Sequence, residues 1–211
     1  MEFKKINNRI FQLKVPFEDI YTSVFLLKVN GVNALIDCAT YDSDVDGYII
    51  PSLKNVGLNL KDIKYLILTH DHLDHSGGKQ RLLKLNPNLE VITAEQNINL
   101  KGIEIYHLKG HTLDCIGVFD EESKTLISGD GLQGCCVGKY SCTFDSKEEY
   151  LKTISKIEND KRIKNLILSH AYEPWNKDAI YGRKEVCGRN YSYGGGFRAM
   201  VHRRCKEGGA G

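Results

Sequence analysis

The sequence predicts an α/β (α+β) domain in which helices cover sheets, and three observations lead there. Short β-branched and aromatic runs alternate with segments of helical apolar spacing; several of the runs are apolar enough to be buried strands; no internal repeat interrupts the alternation. At 211 residues the chain is long enough for one full core and short for two. The expected organisation is a single domain over 1–180 followed by a basic, Gly-rich tail over 181–211.

The elements follow in order. RIFQLKV at 9–15, TSVFLLKV at 22–29 and NALIDCA at 33–39 read as strands, with Asn30-Gly31 as the hairpin turn between the last two, so an antiparallel sheet edge is expected here. Val45, Tyr48, Ile49, Leu53 and Val56 are spaced as on a helix, with Pro51 at a kink or a first turn. DIKYLILT is a buried strand, SGGKQRLLKLN starts a helix, and LEVITAE and IEIYHLK are strands. IGVFDEESKTLISGD reads as a hairpin turning at Glu121–Ser123. Ser146 with Glu149 is a capping box for the helix SKEEYLKTISKIEND, and NLILSH is a further buried strand. Beyond Val186 the triple glycine, the few aliphatic residues and the lack of periodicity predict a poorly ordered or loosely packed segment.

Composition excludes several classes. No apolar run approaches the roughly 20 residues of a membrane span, and the N-terminal stretch is too polar for a secretion signal, so a cytoplasmic location is the default. Seven cysteines without a CxxC spacing point to reduced thiols; Cys135, Cys136 and Cys142 crowd one loop, and Cys187, His202 and Cys205 match no zinc module. The formal charge of +2 is too small to imply nucleic acid, although residues 181–211 carry seven Arg/Lys against two Glu. The expected partner is a small-molecule substrate ahead of nucleic acid, with no membrane, and the oligomeric state is left open.

The chemistry concentrates in LILTHDHLDHSGG, at 66–78, which holds three of the seven histidines within six residues. In a chain still extended after the strand, His70 and His72 project to one side, spaced to chelate one ion. Asp74 and His75 follow at once and can aim at a neighbouring point, so one loop offers ligands to two metals. Imidazole and carboxylate without cysteine suit Zn²⁺, or Fe and Mn. Further ligands must come from other strand ends, and His111, Asp130 and His170 stand at three of them. Each of these taken alone reads as a satisfied core or surface residue; together they complete a set.

DIKYLILTHDHLDHSGG, KGHTLD, LISGDG and LILSH, in that order, resemble the successive motifs of the metallo-β-lactamase-fold hydrolases, from about the first hairpin to Tyr172. The resemblance implies an αββα sandwich with a dinuclear metal site at one edge of the sheets. It implies that His70, His72 and His111 bind one ion, that Asp74, His75 and His170 bind the other, and that Asp130 bridges them. Zn²⁺ is expected ahead of Fe or Mn. Asp37 matches an acidic position that supports the ligands from behind. In such a site water falls from a pKa of 15.7 to about 7, two ions about 3.5–4 Å apart share the resulting hydroxide, and Asp74 orients it and relays its proton. Asp74 and Asp130 are therefore the catalytic candidates.

The segment GDGLQGCCVGKYSC resembles that of glyoxalase II and related thioesterases, in which a lysine nine residues after the aspartate contacts a substrate carboxylate; here it is Lys139, followed by Tyr140. GHTLDC departs from the usual GHTPG, and the helical domain that completes the glyoxalase II thiol pocket has no counterpart in this sequence. The expected function is hydrolysis of a small acyl substrate, a thioester first, with a lactone or other ester, an iron-dependent persulfide dioxygenase reaction, or a phosphodiesterase reaction on nucleic acid as alternatives.

Overall fold

A computed structural model describes residues 1–133, 143–170 and 180–182. Lys139, Tyr140, Cys135, Cys136, Cys142, Cys187, His202 and Cys205, and the expected tail beyond residue 182, lie outside the described residues.

Eleven strands among the described residues form two sheets. The first has the order β1-β2-β3-β4-β5-β6, built from β1 (Lys4–Lys5), β2 (Ile10–Phe17), β3 (Ile20–Val29), β4 (Val32–Ile36), β5 (Ile63–Ile67) and β6 (Glu90–Ile92). β1 to β4 pair antiparallel and β4 to β6 parallel. The expected antiparallel trio is therefore half of a larger sheet, with β4 in its interior. Its outer edge is β1, two exposed lysines whose charge discourages further pairing. Asn30 and Gly31 both take positive φ, 51° and 79°, as a tight hairpin turn with right-handed twist requires.

The second sheet has the order β11-β10-β9-β8-β7. It comprises β7 (Ile103–His107), β8 (Ile116–Asp120), β9 (Thr125–Ile127), β10 (Asn165–Ile167) and β11 (Ile180–Gly182), the last of which the sequence did not suggest. Only β9 and β10 pair in parallel.

Alternation along the strands distributes the core into three layers of contact. Phe25 and Leu27 of β3, Ile67 of β5, Ile127 of β9 and Ile167 of β10 meet between the sheets. Their neighbours Val24, Leu26 and Leu66 point the other way, onto Ile49, Leu53 and Leu82 of the helices. On the far side Phe119, Leu126 and Leu166 pack against Tyr150, Ile154 and Ile157 of a long helix. The result is the expected α/β/β/α sandwich.

The helices are α1 (Asp42–Asp44), which runs through a π-helical turn (Val45–Ile49) into α2 (Ile50–Asn55), then α3 (Leu73–Ser76), α4 (Lys79–Leu85) and α5 (Lys147–Asn159). The wide turn lies just ahead of Pro51, which has no N–H to give to the carbonyl four residues back, so the kink expected there takes the form of a π turn. Ser146 Oγ accepts from Glu149 N and caps α5.

The junction between α3 and α4 needs its two glycines for close approach. A Cβ on Gly77 would lie 1.9 Å from the Thr40 carbonyl oxygen, and one on Gly78 2.3 Å from that of Cys38. These contacts press the helix that follows the histidine-rich loop onto the loop after β4. Gly77→Ala sets a methyl against backbone that cannot turn aside, and it should cost about 3 kcal/mol of stability, read as a lower urea midpoint at unchanged m-value.

Candidate metal centre

All seven expected ligands sit at one edge of the sandwich, just past the ends of strands from both sheets. β5 runs into His70 and His72, and His72 precedes α3, which carries Asp74 and His75. His111 follows β7, Asp130 follows β9 in a short 3-10 turn (Gly129–Gly131), and His170 follows β10. Two bonds join the sheets here: Ile116 N donates to the Thr69 carbonyl at 2.8 Å, and Ser23 Oγ to the Ser169 carbonyl at 2.7 Å.

The side chains form three overlapping groups, each with its donor atoms within 4.8 Å of one another: His70, His72 and His111; His70, His75 and Asp130; Asp74, His75 and His170. The first and third are the two ligand sets expected from sequence. Asp130 stands between them, with Oδ2 3.7 Å from His111 Nε2, 3.7 Å from His75 Nε2 and 3.5 Å from His170 Nε2. Asp71, the other aspartate of the motif, is exposed and outside all three groups.

The ring orientations are set from behind. His75 Nδ1 lies 2.7 Å from Asp37 Oδ2, His111 Nδ1 2.9 Å from the Thr143 carbonyl, and His170 Nδ1 2.7 Å from the Tyr21 carbonyl. Carboxylate and carbonyl oxygens only accept, so each Nδ1 carries the proton. Each Nε2 is then the ligand atom, aimed into the cluster. Asp37 thus stands behind His75, and it also accepts from Thr69 N and Thr69 Oγ1, both at 2.8 Å.

Two observations show that these residues fit a metal ion. His70 Nε2 is buried without a hydrogen-bond partner, an unfavourable state for polar nitrogen that a cation relieves. His111 Nε2 and His72 Nδ1 stand 3.0 Å apart, close to the roughly 3.3 Å expected for two nitrogens on one tetrahedral Zn²⁺.

Electrostatics separate the histidines. Burial pushes His70 down to about 2, aided by His75, so its ring is neutral. Burial also lowers His72, with His111 adding to it. For His170 burial acts the same way, but the Asp130 and Asp74 carboxylates outweigh it and raise the ring to about 10. His75 is likewise raised against its burial by Asp74, Asp37 and Asp130. Burial opposes ionisation of Asp74 and Asp130, and their histidine neighbours more than reverse this, holding both well below the usual carboxylate range.

Sequence reasoning missed three supporting residues. Thr69 stands directly before His70, and its place ahead of the motif is the signal that marks it. Gln133, which donates to the Thr143 carbonyl at 2.6 Å, and Thr143 itself carry no signal in the sequence. Of the cysteines, Cys38 and Cys115 are free and buried; burial raises both thiols, Cys115 to about 12, and they act as packing residues.

The sequence profile of the metallo-β-lactamase superfamily matches residues 18–98, the segment that carries Asp37, His70, His72, Asp74 and His75. The fold extends the match: the metallo-β-lactamase FIM-1 from Pseudomonas aeruginosa, in its mono-zinc form, superposes with a TM-score of 0.68 at 17% identity, over 88% of this chain and 91% of that one. The profile match, the relatives in sequence and the shared fold together support a place in the metallo-β-lactamase superfamily. Among its relatives in sequence are hydroxyacylglutathione hydrolases. That of Legionella pneumophila (strain Corby) is 25% identical over 195 residues, 81% of this chain and 74% of the relative. That of Prochlorococcus marinus (strain MIT 9312) is 28% identical over 193 residues, 82% and 72%. The metallo-β-lactamase fold implies binding of divalent metal, and the donor clusters suit it. Among the described residues no helix is long and apolar enough to cross a membrane.

Metal uptake at this site should be pH-linked. A raised pKa means that His170 and His75 hold protons which an ion must displace, so affinity rises with pH across the neutral range and uptake releases protons. Calorimetric titration of Zn²⁺ in buffers of different ionisation enthalpy should show that release, and the affinity should fall steadily as pH is lowered through the neutral range.

Proposed function

We propose that the chain is a dinuclear, metal-dependent hydrolase acting on a small acyl substrate, a thioester first. The observation that carries the reading is the convergence of two three-residue donor groups on the carboxylate of Asp130. The choice of thioester rests on the hydroxyacylglutathione hydrolases among its relatives.

In this reading His70, His72 and His111 hold one ion, Asp74, His75 and His170 the other, and Asp130 both, with Zn²⁺ ahead of Fe or Mn. When bound, such ions supply Lewis acidity, which makes water acidic near neutral pH and stabilises negative charge growing on an acyl oxygen. Asp74 turns Oδ2 toward His75 Nε2 at 3.1 Å and His170 Nε2 at 3.3 Å, and in this reading the same carboxylate orients the attacking water. Asp37 and the Thr143 and Tyr21 carbonyls keep the imidazoles from rotating while charge shifts.

Leu73 and Leu113, 60% and 58% exposed, stand next to His72 and two residues beyond His111, where they offer apolar walls to an acyl group. A cavity of about 310 Å³ is lined by His70 together with Leu68, Lys79 and Thr93 among others. Lys139 is proposed to hold a carboxylate at the far end of the substrate, with Tyr140 beside it.

Metal analysis of protein purified without added metal, paired with thioesters, lactones and phosphodiesters, tests the reading. Two divalent ions per chain and preferential thioester turnover are expected. One iron per chain with oxygen consumption on a persulfide would replace the reading with the dioxygenase. Asp130→Asn should remove metal and lower kcat at least about a hundredfold. Lys139→Ala should raise KM for an anionic thioester about tenfold with kcat nearly intact, because a contact made equally in ground and transition states adds only binding. An equal loss on neutral esters would remove Lys139 from substrate binding.

A further inference from the structure

Thr69 is buried one residue before the first ligand, and every polar group it has is engaged. Its N–H donates to Asp37 Oδ1 and its hydroxyl to Asp37 Oδ2, each at 2.8 Å, and its carbonyl accepts from Ile116 N. A hydroxyl has one hydrogen, and this one is given to Asp37. Thr69 Oγ1, 3.2 Å from His70 Nδ1, therefore faces that ring as an acceptor, and the ring must supply the proton. His70 is thereby fixed with Nε2 bare, and Nε2 is the buried nitrogen without a partner.

The chain His70–Thr69–Asp37–His75 joins a histidine of each expected ligand set through one hydroxyl and one carboxylate. The side chain does a second thing. A Cβ on Gly129 would lie 2.5 Å from Thr69 Cβ, so the threonine fills the space that the turn before Asp130 leaves open. Gly129 itself has φ +53°.

We infer that Thr69 is a positioning residue of the metal centre: its hydroxyl selects the metal-binding tautomer of His70, while its Cβ seats the turn that presents Asp130. The inference rests on the reading that the cluster binds metal. It extends that reading to a residue that touches no ion.

The consequences for the two ions differ. Without the hydroxyl, His70 Nδ1 has no acceptor in a buried place, and the ring gains as much by protonating Nε2, which disables it as a ligand. His75 keeps its bond to Asp37, and Asp37 keeps its bond from Thr69 N. Loss of the hydroxyl should therefore weaken chiefly the ion that His70 holds.

The test is stepwise Zn²⁺ binding to the full chain by competition with a chromophoric chelator, with Co²⁺ absorption reporting coordination, in Thr69→Val and Thr69→Ser. Val keeps the shape and lacks the hydroxyl; it should weaken one binding step about ten- to a hundredfold and the other less than about fivefold. Ser keeps the hydroxyl and should bind both ions within about threefold of the parent. If Thr69→Val fails to fold, Thr69→Ala against Thr69→Ser gives the same comparison of the hydroxyl without extra volume. Parent-like binding by Thr69→Val, or weakening of both steps in parallel with a lowered melting temperature, overturns the inference. So does a Thr69→Ser variant as weak as Thr69→Val. If the parent chain binds no divalent ion, both the metal reading and this inference fall; if it binds two and the hydroxyl is immaterial, only the inference does.

Discussion

The carboxylate of Asp37 is fully buried, and the geometry of the metal centre hangs from it. It lies one residue past β4 in the left-handed region, φ +61°, a conformation that an L-residue adopts only when its surroundings impose it. An unpaired carboxylate in that place would cost several kcal/mol. Three donors offset that cost: the Thr69 N–H, the Thr69 hydroxyl and His75 Nδ1. They come from the end of β5 and from α3, so one anion binds the exits of two adjacent strands to the short helix carrying Asp74 and His75. An apolar residue there would leave His75 free to turn and the loop from His70 to His75 without an anchor.

The rest of the site is arranged so that a cation is what completes it. Packing five imidazoles and two carboxylates at the edge of an apolar core leaves nitrogen lone pairs facing one another. Protons relieve part of this, since His75 and His170 are raised by the carboxylates beside them. Protons cannot relieve it all, because His70 is held neutral by burial and by its cationic neighbour. Ion binding therefore feeds free energy into the strand-end loops that form the site, and it stabilises the structure it occupies.

Much of this was legible in the sequence for a physical reason: metal ligation is local and stereotyped. HxHxDH after a buried strand reveals itself because two-residue spacing and imidazole chemistry are visible in a line of letters, and the alternation of Phe25 and Leu27 with Val24 and Leu26 shows a strand buried on both faces. What was not legible depends on distance. Nothing near Thr143 or Tyr21 says that their carbonyls will meet His111 and His170, because backbone acceptors are the same at every residue. The lysine pair of β1 is too short to carry a pattern. The π turn ahead of Pro51 shows how a helical period can be right while the winding departs from it. The two glycines after His75 could be read as a turn, yet their use is contact with the backbone at Cys38 and Thr40, which only the folded chain displays.

The same contrast separates chemistry from specificity. The ligands stand at the ends of strands, where the sheets fix the backbone, and this frame persists in a lactamase of 17% identity. Groups that would touch the remainder of a substrate are placed differently: Leu73, Leu113 and Lys79 project from helix starts and loops whose backbone the ligands hold but whose side chains they do not constrain. Substitution there leaves Asp37, Thr69 and the histidines untouched, so substrate choice can change without disturbing the site. Relatives at 25–28% identity therefore inform the reaction class more firmly than the molecule it acts on.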